Sequence, residues 1–337
     1  MASLQIFNRE FINKNYSARK AELKWGDVIK TINTNDWVTE LISSDVDYVI
    51  LGIAEDIGIR ANFGRAGAKD TFINSLTSIL NIQYNRFVNA EKILVLGQII
   101  FDEEYQNIND KSVEELRVLC TKVDEIVHDI SLKVFKANKK LIMIGGGHNN
   151  SYPLLKALSN HHKTSINCLN VDAHSDFRDL EGRHSGNGFS YAKSENYLNR
   201  YGILGLHENY NSEAILNKID ANSDVQYLTF EDIVVRKRMT IEESLNVFIN
   251  FLIEKPCALE VDLDAIQYMP SSAMSSTGFS TNETRSIIHQ ASSLLKPSYI
   301  HLTEGSINLC DSENDKYMLA KSISYFITDF IKATQAF

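Results

Sequence analysis

The chain predicts an α/β fold of three layers, α-β-α, around a central, mostly parallel eight-stranded sheet. Three observations carry that expectation. Apolar segments of strand length alternate with longer stretches of helical periodicity, the pattern of a parallel sheet covered by helices on both faces. A 337-residue chain with 44% apolar residues can bury one large core,. Residues of metal-ligand type directly follow several strand segments, which is where open α/β sheets build their sites.

In order, the strand segments are 48–53, 93–96, 141–144, 166–171, 203–206, 225–228, 258–261 and 299–302, all mostly apolar. Mostly apolar runs of this kind suit strands buried on both faces. Helical periodicity marks 112–137, 154–161, 212–219, 241–253, 282–295 and 315–332,. Residues 1–45 differ, with Trp25 and Trp37 in a mixed polar pattern. They read as an N-terminal extension packing on the core or a neighbouring subunit, and 46–337 as the main domain. No internal repeat, low-complexity segment or proline-rich linker divides it, since there are only four prolines,.

The net charge of −9 argues against a nucleic-acid or anionic-membrane surface, because either partner would be repelled over most of the protein. No apolar run reaches the roughly 18 residues of a membrane helix, and the first ten residues, with Arg9 and Glu10, do not read as a secretory signal,. Cys120, Cys168, Cys257 and Cys310 are widely spaced, three of them within apolar runs. They read as reduced core residues, and a cytoplasmic setting is expected.

The chemistry is concentrated in Asp172-Ala173-His174-Ser175-Asp176, directly after an apolar run. Alternate side chains of an extended backbone share one face, so Asp172, His174 and Asp176 would aim at one point. One such motif is only a hypothesis, but two other strand segments end the same way, in Gly145-Gly146-Gly147-His148 and in Asp262-Leu263-Asp264. Four carboxylates and two imidazoles exceed what one divalent ion needs. Two ions sharing ligands are expected, and oxygen-rich ligation without thiolate favours manganese over zinc. Paired ions of this kind lie about 3.5–4 Å apart and lower the pKa of the water between them.

The glycine run before His148 lacks the Lys-Ser or Lys-Thr of a nucleotide loop and the spacing of a dinucleotide fingerprint,. Its small residues would let the backbone approach the ions, with Asn149, Asn150 or Ser151 capping the helix that follows. His128, His161, His162 and His289 fall in helical patterns and read as structural; so, on balance, does His207 after its strand.

These segments, in this order, resemble the ureohydrolases, the arginase, agmatinase and formimidoylglutamase group. The resemblance extends to 52–65, to Gly182-Arg183-His184-Ser185-Gly186-Asn187 and to Thr303-Glu304-Gly305, covering most of 45–330. It implies one ion held by His148, Asp172, Asp176 and Asp262 and a second by Asp172, His174, Asp262 and Asp264, that is, two Mn2+ per chain. It also implies His184 as a proton shuttle or substrate contact, Glu304 as the carboxylate holding an amidine or guanidine, Asp264 as the group passing a proton to the departing nitrogen, and a trimeric or hexameric assembly.

Within the group, the chain departs from arginase and agmatinase after Asp264, where their Asp-Pro is missing, and at Glu260, where they usually carry serine. The segments 58–64 and 182–187 look more like formimidoylglutamases. The resemblance therefore implies hydrolysis of N-formimidoyl-L-glutamate to L-glutamate and formamide, a step of histidine degradation. A substrate with two carboxylates on an acidic protein requires local cations. Arg60, Arg65 and Arg183 are candidates, with Asn187 beside them, while Arg178 reads as a partner of nearby carboxylates. The alternatives are a guanidino hydrolase releasing urea and a metal-binding homologue without catalysis; a one-zinc deacetylase on a related fold fits less well, given the complete Asp262 and Asp264 pair.

Overall fold

The computed structural model describes residues 3–34 and 36–335. Its sheet has nine strands: β1 (Ser3–Ile6), β2 (Tyr48–Ala54), β3 (Ile93–Ile100), β4 (Lys140–Ile144), β5 (Ile166–Val171), β6 (Leu198–Leu206), β7 (Val225–Thr229), β8 (Cys257–Asp262) and β9 (Tyr299–Thr303), in the spatial order β1-β3-β2-β4-β9-β8-β5-β6-β7. All eight expected strands are present and mutually parallel. The expected count of eight is corrected to nine by β1, which pairs antiparallel with β3 at the sheet edge. Four residues, Ser-Leu-Gln-Ile, are too short a run for periodicity to register.

Parallel strands bury both faces, and successive residues divide between two cores. Ile50, Ile142, Leu169, Leu259 and Ile300 face one helical layer, with Phe72 from helix Thr71–Leu80 and Phe326 from helix Glu313–Thr334. Val49, Leu141, Cys168, Ala258 and Tyr299 face the other, with Val127 from helix Val113–Lys136 and Leu155 from helix Ser151–His162. The longest of these helices starts at a capping box, in which Ser112 accepts from the Glu115 amide and Glu115 from the Ser112 amide, satisfying two donors that the helix cannot. Boundaries elsewhere differ from expectation by up to five residues, the most at the start of β6, and among the described residues helix Thr71–Leu80 and five α-helices of four to seven residues lie outside the expected set. In Thr71–Leu80 the Thr and Ser content favours other local structure, and burial of Phe72, Leu76, Ile79 and Leu80 overrides this.

The first 45 residues join both layers. Phe7 stacks on Phe72 with ring centroids 6.0 Å apart, and Trp25 is buried in the Phe72 core. Trp37 is partly buried against the other core. Cys120, Cys168 and Cys257 are buried thiols and Cys310 is half-buried, none in a disulfide. No helix among the described residues is long and apolar enough to cross a membrane.

In chain order the sheet grows outward through β2 and β3, returns with β4, jumps to β5 and grows outward again through β6 and β7, after which β8 and β9 fill the gap. This reversal is the place at which α/β sheets open a crevice beyond their carboxyl ends. The four strands around it, β4, β9, β8 and β5, are those that lead into His148, Glu304, Asp262 and Asp172.

Candidate metal centre

Strand register brings the acidic residues together. Val171 of β5 lies level with Val261 of β8, so Asp172 and Asp262, each the next residue, emerge side by side. Asp262 in turn lies level with Thr303 of β9, and Glu304 follows. Like charges this close cannot all ionise without a cation among them.

His148 provides the sharpest sign of what is meant to sit there. It is fully buried, and its Nδ1 lies 2.8 Å from Asp176 Oδ2, 3.1 Å from Asp262 Oδ2 and 3.2 Å from Asp172 Oδ2. Yet neither of its ring nitrogens makes a hydrogen bond. Atoms this close that do not bond one another converge on a common point, as ligands of an ion do. His148, Asp172, Asp176 and Asp262 form one such group, and Asp172, His174 and Asp264 a second, each with its ligand atoms within 4.8 Å of one another. His174 Nδ1 is 3.2 Å from Asp264 Oδ2 and 3.6 Å from Asp172 Oδ1.

Asp172 belongs to both groups, one oxygen turned to each. The resemblance implied a second shared ligand, Asp262; here it enters only the first group, and its Oδ1 accepts a hydrogen bond from the Asp264 amide at 2.8 Å, as Asp172 Oδ1 does from the His174 amide at 2.6 Å. Asp264 Oδ1 is buried and has no hydrogen-bond partner. The donor set fits hard divalent cations: oxygen with some imidazole, no thiolate, and more negative than positive groups. Burial opposes the imidazolium of His148, but the carboxylates around it hold its pKa well above 6.5, and the same holds for His174 between Asp264 and Asp172. Ions entering here would displace those protons.

The backbone around the ligands is shaped for the purpose. Gly145 and Gly146 take φ of +87° and +73°, a region strained for residues with a Cβ, and a Cβ on Gly146 would meet Asn150 Nδ2 at 2.5 Å. The expected capping by Asn149, Asn150 or Ser151 is not made: a 3-10 turn, His148–Asn150, leads into helix Ser151–His162, and no cap side chain bonds its amides. Asn149 and Asn150 instead donate to Glu55, which also accepts from the Gly147 amide at 3.0 Å. Glu55, a buried carboxylate just after β2, thus ties this strand to the loop carrying His148. Its place at the end of an apolar strand was the available clue.

A second buried carboxylate stands behind His148. Glu260 Oε2 lies 3.5 Å from His148 Nε2 and 2.7 Å from His301 Nδ1, while its Oε1 accepts from the Tyr299 hydroxyl at 2.6 Å. Burial would raise its pKa, but His301 and His148 pull it down to about 2. The carboxylate bonds His301 and, making no hydrogen bond to His148 Nε2, acts on that imidazole by its charge.

The cavity over the cluster has a volume of about 270 Å³ and is lined by His174, Asp176, Asp262, Asp264 and Glu304, with Arg178, Tyr210 and Ser272 among its outer residues. Glu304 is buried, accepts from the His148 amide at 2.9 Å, and is pushed up to about 8, chiefly by burial. A cation entering the cavity would reverse that shift. Arg178 is the guanidinium on the wall, half-exposed, bonded to Asn62 Oδ1 at 2.9 Å and 3.1 Å from Glu181 Oε1.

The other expected contacts lie elsewhere. Arg183 is buried, bonded through Nε to Asp124 at 2.8 Å and through Nη1 to Asn187 Oδ1 at 2.7 Å, between the rings of Tyr152 and Tyr191. It lines a different, larger cavity of about 670 Å³ between helix Val113–Lys136 and the loop at 181–183. Asn187 is occupied by Arg183 and by the Gly182 and Asp179 carbonyls. Arg60 pairs with Asp56 at 2.8 Å and Arg65 bonds the Ser272 and Ser271 carbonyls; neither is among the residues lining the cavity. His184 is buried with its Nδ1 accepting from the Gly186 amide and its Nε2 3.1 Å from Glu181. Burial lowers its pKa to about 4, so it is neutral at physiological pH. His207 is buried between Tyr210 and Phe230, off the cavity.

A parallel sheet whose central strands end in convergent carboxylates and imidazoles defines an α/β protein with two adjoining groups of candidate metal ligands. The chain belongs to the arginase family, whose model matches residues 46–327. Among its relatives, the formimidoylglutamase of Streptococcus gordonii is 27% identical over 250 residues, 72% of this chain and 70% of that protein. The formimidoylglutamase of Macrococcus caseolyticus is 29% identical over 210 residues, 59% of this chain and 61% of that protein. The fold matches the crystal structure of formimidoylglutamase from Bacillus subtilis with a TM-score of 0.73 at 17% identity, covering 94% of this chain and 93% of that one. It also matches Trypanosoma cruzi formiminoglutamase with Mn2+2, with a TM-score of 0.69 at 21% identity over 88% of this chain and 97% of that one.

Proposed function

We propose that the protein hydrolyses the C–N bond of N-formimidoyl-L-glutamate, giving L-glutamate and formamide, with manganese held by His148, Asp172, Asp176 and Asp262 at one position and by Asp172, His174 and Asp264 at the other. The observation that carries this reading is a single cavity holding both a buried carboxylate, Glu304, and a half-exposed guanidinium, Arg178, over the ligand cluster. The relatives named formimidoylglutamase support the same choice of substrate.

The substrate offers one cationic amidine and two carboxylates. Glu304 suits the amidine, because its charge is costly to bury until a cation joins it. Arg178 suits a substrate carboxylate, which it can bind with two parallel N–H donors. When bound, the ions supply a water of lowered pKa and polarise the group it attacks. Asp264 Oδ1, buried without a partner, would serve as the proton carrier, accepting from the attacking water and donating to the glutamate nitrogen as the C–N bond breaks. The water oxygen joins the amidine carbon, the second nitrogen stays in formamide, and the amine leaves with the carried proton, then takes up the hydroxyl proton released as the formamide carbonyl forms.

His184 sits in the loop bounding the cavity, and with both ring nitrogens engaged it holds Gly186 and Glu181 in place. Glu260 places a negative charge behind His148. The test is an activity panel on manganese-loaded protein with formimidoylglutamate, arginine, agmatine and guanidinobutyrate. Formamide and glutamate are expected from the first alone; release of urea from any guanidino compound, with formimidoylglutamate untouched, would replace this reading with a guanidino hydrolase.

A further inference from the structure

A second cavity, of about 590 Å³, lies between helix Thr71–Leu80, the segment around Lys24 and the first turns of helix Glu313–Thr334, and shares no lining residue with the metal centre. Its charge is opposite to that of the molecule. Arg19, Lys24, Lys316 and Lys321 line it against one carboxylate, Glu313, on a chain of net charge −9. Glu313 is engaged by Lys316 Nζ at 2.6 Å, which leaves Arg19, Lys24 and Lys321 with no carboxylate partner among the lining residues. Outside the lining, Arg19 has Glu22 at 3.9 Å, with side chains 68% and 43% exposed, and Lys321 Nζ faces the Tyr317 ring at 5.5 Å.

Lys24 is the decisive residue. It is only 5% exposed, and its ammonium donates to the Ser17 carbonyl and to Asn81 Oδ1 at 2.7 Å. No carboxylate among the described residues pairs with it. An ammonium has three donors, so one is left over, and a buried charge without a counter-charge is costly. A chain that tolerates this beside two further cations that no lining carboxylate pairs, Arg19 and Lys321, has a place prepared for negative charge.

We propose that this cavity binds a small anion carrying two or more negative charges, borne by phosphate or carboxylate groups, which pairs with Lys24, Arg19 and Lys321. Charge-assisted hydrogen bonds from Lys and Arg to such groups are the strong class of polar contact, and the volume lies in the range of small-molecule sites.

Calorimetric titration of the full-length, manganese-loaded protein with fructose 1,6-bisphosphate and, separately, with tricarballylate tests it, with matching titrations into protein-free manganese buffer subtracted. The expected result is saturable one-to-one binding of at least one of the two; which one binds assigns phosphate or carboxylate as the source of charge. Binding should weaken at least about tenfold in Lys24→Met. The Arg19→Gln/Lys321→Gln double variant alters solvent-facing groups and keeps the test decisive if Lys24→Met does not fold. It should weaken binding several-fold, whereas Lys255→Gln/Lys332→Gln, at two residues that do not line the cavity, should not. Absence of saturable binding by both anions, an unchanged affinity in the Arg19/Lys321 variant, or an equal loss in the Lys255/Lys332 variant would overturn the proposal.

Discussion

His148 and Arg183 are both buried, both charged or chargeable, and both surrounded by acidic or polar groups, yet they differ in one respect that separates chemistry from architecture. Arg183 spends its donors on Asp124, Asn187, and the Asn149 carbonyl, at 2.7 to 3.2 Å. His148 has three carboxylate oxygens within 3.2 Å and bonds none of them. A satisfied buried charge holds a fold together, whereas an unsatisfied convergent one leaves room for something that is bound. The sequence shows both residues in family-like motifs, and only geometry tells them apart.

The comparison breaks most visibly at Asp172, which serves both ligand groups. Asp172→Asn keeps the shape and removes the charge, so both metal positions weaken together. Turnover should fall by more than about a hundredfold, beyond the usual cost of altering a group that merely supports a ligand. Metal analysis should show loss from both positions while far-ultraviolet circular dichroism is unchanged. Turnover within a few-fold of wild type would remove the shared-ligand reading.

Arg183 should behave in the opposite way. In Arg183→Met the stem is roughly preserved but Asp124 is left as a buried unpaired carboxylate, which costs about 3–5 kcal/mol. The measurement is the urea midpoint, with KM for formimidoylglutamate expected near wild type in the fraction that stays folded. A tenfold rise in KM with unchanged stability would put Arg183 back in the substrate pocket. A double variant, Arg183→Met/Asp124→Leu, removes both charges and should regain most of the loss.

Arg178 lies between these extremes, on the cavity wall and half-exposed. If it binds a substrate carboxylate, Arg178→Gln forfeits a charge-assisted contact worth about 1.5–3 kcal/mol, roughly a tenfold to hundredfold rise in KM with kcat little altered. Arg178→Lys should restore only part, since a point charge lacks the two-pronged geometry. A variant with wild-type KM would leave Arg178 as no more than a brace for Asn62 and Glu181.

What the sequence disclosed follows from the same physics. The six ligands and the eight parallel strands announce themselves locally: mostly apolar runs of strand length, three of which lead into the ligand segments at 145–148, 172–176 and 262–264. Partnerships across the sheet do not. Glu260 and His301 are level on neighbouring strands, but nothing in either segment says that β8 lies beside β9. Arg183 reads as a substrate contact until Asp124, 59 residues earlier, is seen to occupy it. Arg178 was set aside as a partner for carboxylates because no local pattern reveals which of several arginines reaches a cavity. Glu55 follows its strand much as Asp172 does, and was passed over because its partners lie more than 90 residues on.

The smallest expected effect belongs to His184, a satisfied residue next to an open site. Burial lowers its pKa to about 4, below the roughly 6.5 of an unfolded histidine. The unfolded chain therefore takes up a proton first as the solution is acidified, and stability attributable to this residue is complete above about 6.5 and declines as pH falls toward 4. His184→Gln cannot titrate, so the wild-type urea midpoint should fall more steeply than the variant's across that window, with parallel behaviour above neutrality. Identical slopes would mean that His184 is protonated as readily in the fold as outside it, and that its contact with Glu181 is an ion pair, which would place the residue nearer to Arg183 in character than to His148.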